Sequence, residues 1–209
     1  MPYAYVYLLD QGYGEATFGF ANAAFLFAMV ATEIPAGYVG DRFGRRASLA
    51  VGNLLATVVF GLYAFASSAP QIVALFTVWG VGYAFRSAAG EAWLYDLLER
   101  GDDGTTDEFA RVSGRSETAS LLSSTGGALA ATPLYLVGPA LPFLANALLS
   151  AVGLPLLVAL PSTRGGHETA FSIRRAVRML RVHAGRPEVR WLVVYTASFN
   201  LLLSMTRWL

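Results

Sequence analysis

Lysine and cysteine occur nowhere in the 209 residues, histidine occurs twice, and only 14% of the chain is charged. Without lysine there is no P-loop amine for nucleotide hydrolysis and no Schiff-base chemistry. Without cysteine there are no disulfides, thiolate nucleophiles or sulfur-bound metals. His167 and His183 share one polar stretch with no carboxylate cluster at ligand spacing, so neither a metal nor a cofactor is expected. A soluble domain carries about a quarter charged residues. The shortfall, with 55% hydrophobic residues and a mean hydropathy of +0.49, points to a lipid bilayer as the main solvent. The net charge of +1 is too even to suggest a nucleic-acid partner.

Long apolar runs are what the chain does have. A bilayer core of roughly 30 Å takes about 20 mostly apolar residues per helix. Such runs cover 16–40, 47–67, 71–98, 118–137, 141–160 and 191–209. The first nine residues are apolar and aromatic but reach only about 13 Å as a helix. They look like the outer half of a helix whose first half is missing, which makes seven helices in an all-α, polytopic membrane chain. Ser67-Ser68-Ala69-Pro70 and Val137-Gly138-Pro139-Ala140-Leu141-Pro142 break two apolar stretches with turn residues and no charge, so both are expected to be tight hairpins. Pro35, Pro133 and Pro155 fall inside the runs as expected kinks.

The arginines orient the chain. Arg42, Arg45 and Arg46 lie between the second and third helices; Arg100, Arg111 and Arg115 lie between the fourth and fifth; Arg164 and six more from Arg174 to Arg190 lie between the sixth and seventh. The alternate loops carry none. The positive-inside rule then puts the arginine-bearing loops in the cytoplasm. Three regions follow: a transmembrane bundle at 1–160, a cytoplasmic loop at 161–190, and the first helix of a second bundle at 191–209. Within the loop, Ile173, Val177 and Leu180 recur at helical spacing while Arg174, Arg178 and Arg181 point elsewhere, which fits either a basic helix lying on an anionic leaflet or a solvated linker. The acidic run from Glu99 to Glu108 reads as a hydrated loop.

Between the second and third helices stands Gly37-Tyr38-Val39-Gly40-Asp41-Arg42-Phe43-Gly44-Arg45-Arg46. Gly37 would let a neighbouring helix approach closely. Gly44 would allow a tight turn between antiparallel helices. Asp41 could accept hydrogen bonds from a helix N-terminus, and Arg42, Arg45 and Arg46 could pair with carboxylates or lipid phosphates. A generic positive-inside hairpin accounts for the arginines but not for the ordered Gly, Asp and Gly.

This G-x-x-x-D-R-x-G-R-R pattern resembles the signature loop of the major facilitator superfamily of secondary transporters. Arg86-Ser87-Ala88-Ala89-Gly90 is similar to the family's R-x-x-Q-G motif on its fourth helix, with Ala89 where glutamine is usual. Ser123 to Gly127 and Pro133 do not reproduce the antiporter motif of the fifth helix. The resemblance covers nearly the whole chain. It implies a six-helix bundle of inverted three-helix repeats plus the first helix of a second bundle, the rest of which is missing from what looks like a fragment. It also implies that Gly37, Asp41, Arg42, Gly44, Arg45 and Arg46 form a gating element, with Asp41 bracing the loop against the second bundle.

Charged groups inside lipid are costly and mark candidate sites. Arg86 lies about 18 Å from the cytoplasmic end of its helix, near the midplane. It can line a cavity, bind an anionic group or hold its helix in place through a partner. Glu33 and Glu91, each about 10 Å from a cytoplasmic end, are candidate proton carriers or partners for an arginine. Asp96 lies at the level of Arg45, Arg46 and Arg115 and is a candidate partner in a gate network. Nothing in the spans supplies a nucleophile with its base, so no enzyme is expected. The chain reads as a secondary active transporter of a small solute in the plasma membrane, with a bilayer and a second helix bundle as partners; a membrane scaffold that moves no solute is the alternative.

Overall fold

The computed structural model describes residues 2–99 and 106–159, apart from the side chains at 2, 3, 88, 91, 92, 94–99 and 106–109. All of them lie within one compact unit, Met1–Gly166. The expected loop and basic helix at 161–190 and the helix at 191–209 lie outside the described residues. The described part is helical throughout: α1 Pro2–Asp10, α2 Glu15–Phe43, α3 Arg45–Tyr63, α4 Ala69–Glu99, α5 Thr106–Val137 and α6 Leu141–Ala159. By length and composition α2, α3 and α6 can each cross a membrane, and α4 and α5 run for 31 and 32 residues.

The helices follow the apolar runs, with one correction. α5 begins at Thr106, well before the expected Thr118, so Asp107 and Glu108 belong to its first turn rather than to a loop, while 100–105 of the expected loop lie outside the described residues. Apolarity reports only the part of a helix that lipid surrounds, whereas acidic residues suit a helix N-terminus in water. Glu99 likewise ends α4. Pro35, Pro133 and Pro155 lie inside continuous helices, each removing one backbone donor.

Both hairpins form where turn chemistry was expected. Between α3 and α4 the Ser67 backbone N–H donates to Gln71 Oε1 at 3.0 Å, and the Ser67 carbonyl accepts from Tyr13 Oη at 2.6 Å. The α1–α2 and α3–α4 turns are thereby tied at the same end of the bundle. Between α5 and α6 the Gly138 N–H donates to Leu134 O and the Leu141 N–H to Gly138 O. At this end Tyr7 of α1 packs between Tyr63 of α3 and Phe143 of α6, with ring centroids 5.7 and 5.1 Å away, and Tyr135 of α5 donates to Asp10 of α1.

In lipid, apolar area alone does not drive helices together, so close packing must. α4 meets its neighbours through two glycines. A Cβ at Gly80 would collide with the backbone carbonyl of Phe25 on α2, and one at Gly82 would lie 3.0 Å from Leu55 Cβ on α3. α3 answers with Ser48, Gly52 and Ala56, four residues apart and all buried. A Cβ at Gly52 would sit 2.6 Å from the carbonyl oxygen of Gly82. Ser48 Oγ donates to Phe85 O at 3.0 Å, satisfying its buried hydroxyl across the same seam.

Candidate functional site

The signature turn is as short as a turn between helices can be. α2 ends at Phe43, α3 begins at Arg45, and Gly44 alone links them at φ 96°, ψ 146°. Side chains disfavour that conformation, which is why glycine stands there. The Gly44 carbonyl then accepts from the N–H groups of Ala47 and Ser48 at 3.0 and 3.3 Å, opening α3 without a side-chain cap.

The turn brings its charges together. Arg45 Nη2 lies 2.8 Å from Asp41 Oδ1, the arginine side chain 14% and the carboxylate 44% exposed. Asp41 sits beside the α3 N-terminus as expected, but its contact among the described residues is this arginine rather than backbone N–H groups. Partial exposure keeps the pair's contribution to stability at roughly 0–1 kcal/mol. Arg42 is held otherwise: it donates from Nη1 to Tyr38 Oη at 2.5 Å, and its guanidinium lies 5.7 Å from the Phe43 ring centroid. Arg46, second in α3, is half-buried.

The close approach expected at Gly37 occurs one turn later. A Cβ at Gly37 meets nothing within 4 Å among the described residues, whereas one at Gly40 would lie 3.2 Å from Arg45 Nη1 and 3.7 Å from Ser48 Cβ. Gly40 thus makes room for the arginine that pairs with Asp41.

A second feature lies on the other face of α3. Leu49 and Asn53 of α3, Tyr83, Arg86 and Ser87 of α4, and Gly153, Leu156 and Leu157 of α6 line an open cleft of ≈ 520 Å³. Arg86 follows Gly82 by one helical turn, and its stem crosses α3 at Gly52, where a Cβ would lie 2.6 Å from Arg86 Cγ. Asn53 closes the α6 side by donating from Nδ2 to Ser150 O at 2.6 Å, and Gly153 leaves space for it. Of the three expected pathway residues, Arg86 lies in this cleft. Glu33 is exposed on α2 and does not line it. The side chains of Glu91 and Asp96 lie outside those described. Sequence reasoning missed Asn53, although a lone amide among apolar residues on α3 was the available signal.

The family model for the Major Facilitator Superfamily matches residues 1–209. The chain belongs to the major facilitator superfamily. It is 29% identical over 125 residues to MJ1317 of Methanocaldococcus jannaschii, described as an uncharacterised MFS-type transporter, covering 59% of this chain and 30% of that protein. It is 22% identical over 143 residues to YxaM of Bacillus subtilis, described in the same words, covering 68% of this chain and 34% of that protein. The matched segment thus spans about a third of the length of these relatives. No solved structure matches the chain. Membership and the apolar helices together make this MFS chain a multi-pass membrane protein, in a family that points to transport rather than covalent catalysis.

Proposed function

We propose that this chain forms the first helical bundle, and the start of a second, of a secondary active transporter that moves a small solute across the plasma membrane by alternating access. The α2–α3 turn is its cytoplasmic gate. The observation that carries this reading is the single-residue link at Gly44, which holds Asp41 and Arg45 together while leaving the carboxylate 44% exposed. A carboxylate fixed by one partner still has lone pairs for another. The second bundle can therefore dock on the turn in one state and leave it in the other, with Arg42, Arg46 and Asp96 completing the contact. Alternate exposure of a midplane site then follows from rocking one bundle against the other. Glu33 and Glu91 are the candidate carriers of a coupling proton, because intramembrane relays are built from such carboxylates.

The test needs no knowledge of the solute. This chain has no cysteine, so Ser87→Cys, introduced into the full-length protein with any other cysteine replaced, gives one reporter in the Arg86 cleft. A membrane-impermeant maleimide is expected to react with it from either face of the membrane, in two interconverting populations. Reaction from one face under every condition is the result expected of a scaffold and would overturn the reading.

A further inference from the structure

Asp10 stands where a helix least favours a carboxylate. α1 closes in a Schellman turn: the Gly12 N–H donates to Leu9 O and the Tyr13 N–H to Leu8 O, both at 2.9 Å, with Gly12 at φ 81°. Asp10 is thus the last residue of α1, at the negative end of its dipole. The sequence offers no cation to offset it. No basic side chain occurs before Arg42, between Arg46 and Arg86, or between Arg115 and Arg164, so the α1–α2, α3–α4 and α5–α6 turns carry none. What Asp10 does have is the phenol of Tyr135, donated from α5. A hydrogen bond to an ionised acceptor is roughly twice as strong as a neutral one.

The α5–α6 hairpin is gripped on both sides of its turn. Tyr135 precedes the turn. Phe143, third in α6, follows it, buried with its ring centroid 5.1 Å from Tyr7 of α1 and 4.5 Å from Tyr63 of α3. The turn itself is closed by the Gly138 N–H on Leu134 O at 3.0 Å and the Leu141 N–H on Gly138 O at 2.9 Å. Two residues before Tyr135 lies Pro133, which cannot donate to Leu129 O and leaves α5 one backbone bond short at that point. Prolines of this kind are where long helices bend. Contact and proline together divide α5 into a short segment, 134–137, held against α1, and a long arm, 106–132, on the far side of the bend.

We propose that the Tyr135–Asp10 pair is a strap and Pro133 the hinge beside it: the hairpin end of α5 stays fixed to α1 while the arm 106–132 swings about the proline. A half-buried phenol on an exposed carboxylate is directional, and the carboxylate is fixed in place by the Schellman turn. The side of the hinge that is strapped holds still, so motion falls to the other side. The inference concerns movement within this bundle and does not depend on the transport reading.

The experiment is double electron–electron resonance on the purified full-length protein in lipid nanodiscs, with any cysteine outside this chain replaced. One spin-label pair, Phe65→Cys with Val137→Cys, spans the strapped end, and a second, Val51→Cys with Glu117→Cys, reports the arm; all four positions are exposed. The first pair should give one narrow distance distribution and the second a broad or two-peaked one. Tyr135→Phe and Asp10→Ala should each widen the first severalfold, and the double variant no further than either, since both remove the same bond. Asp10→Asn, which keeps an acceptor but loses the charge, should widen it less. Pro133→Ala should narrow the second pair and leave the first unchanged. Comparison of the two pairs without any further substitution decides the matter even if a strap variant fails to fold. A second pair as narrow as the first, or an unwidened first pair in well-folded Tyr135→Phe protein, would overturn the inference.

Discussion

Asp41 and Arg45 pair at 2.8 Å across a turn whose one linking residue is Gly44. The last turn of α2 and the first residue of α3 are thus fixed by backbone and charge together. Neither long helix can pivot at this point without breaking the pair or changing the Gly44 dihedrals. Under the proposed gating role, a second bundle docking on this junction would act on both helices at once.

Gly44→Ala should therefore be among the most damaging small substitutions in the chain. At φ 96°, ψ 146° a side chain costs about 1–3 kcal/mol, and the midpoint of a thermal melt followed by size-exclusion chromatography should fall. Gly37→Ala should leave the melt unchanged or slightly higher, because no atom within 4 Å among the described residues opposes a methyl there and alanine favours helix. A lower melt for Gly37→Ala than for Gly44→Ala would contradict the geometry of the turn.

The α2–α4 contact makes a separate prediction. Gly80→Ala directs a Cβ into the backbone carbonyl of Phe25, which has no rotamer through which to retreat. Overpacking of this sort costs about 1–3 kcal/mol, and the purified protein should lose monodispersity or melt earlier. Gly126→Ala on α5, where a Cβ meets nothing within 4 Å among the described residues, is the matched control and should behave as wild type.

How much of this was legible beforehand differs from element to element. The positions of α2, α3 and α6 follow from runs of apolar residues, and the tight turn from Gly44, because lipid and a positive φ each leave a local mark on sequence. The true start of α5 left no such mark: Asp107, Glu108 and Arg111 look like loop to a hydropathy reading, although charge is compatible with helix once the chain leaves the bilayer. Pairings between distant residues were hidden for another reason. That Asn53 reaches Ser150, or Tyr135 reaches Asp10, depends on how helices are arranged in space, and no periodicity along one helix encodes it. Gly80 and Gly82 lie between these cases. Small residues on an intramembrane helix announce a close contact, but not which neighbour comes close. Arg86 could be singled out as a charge inside an apolar run, whereas its setting between Gly52 and the α6 leucines required the fold.

The most direct measurement compares Ser87→Cys alone with Ser87→Cys combined with Asp41→Asn in the full-length protein, scoring maleimide reaction from each side of the membrane. If the turn latches the cytoplasmic side shut, removing the Asp41 charge should raise cytoplasmic labelling severalfold and lower external labelling, with insertion and yield unchanged. An unaltered ratio between the two faces would contradict the claim that this turn is the gate.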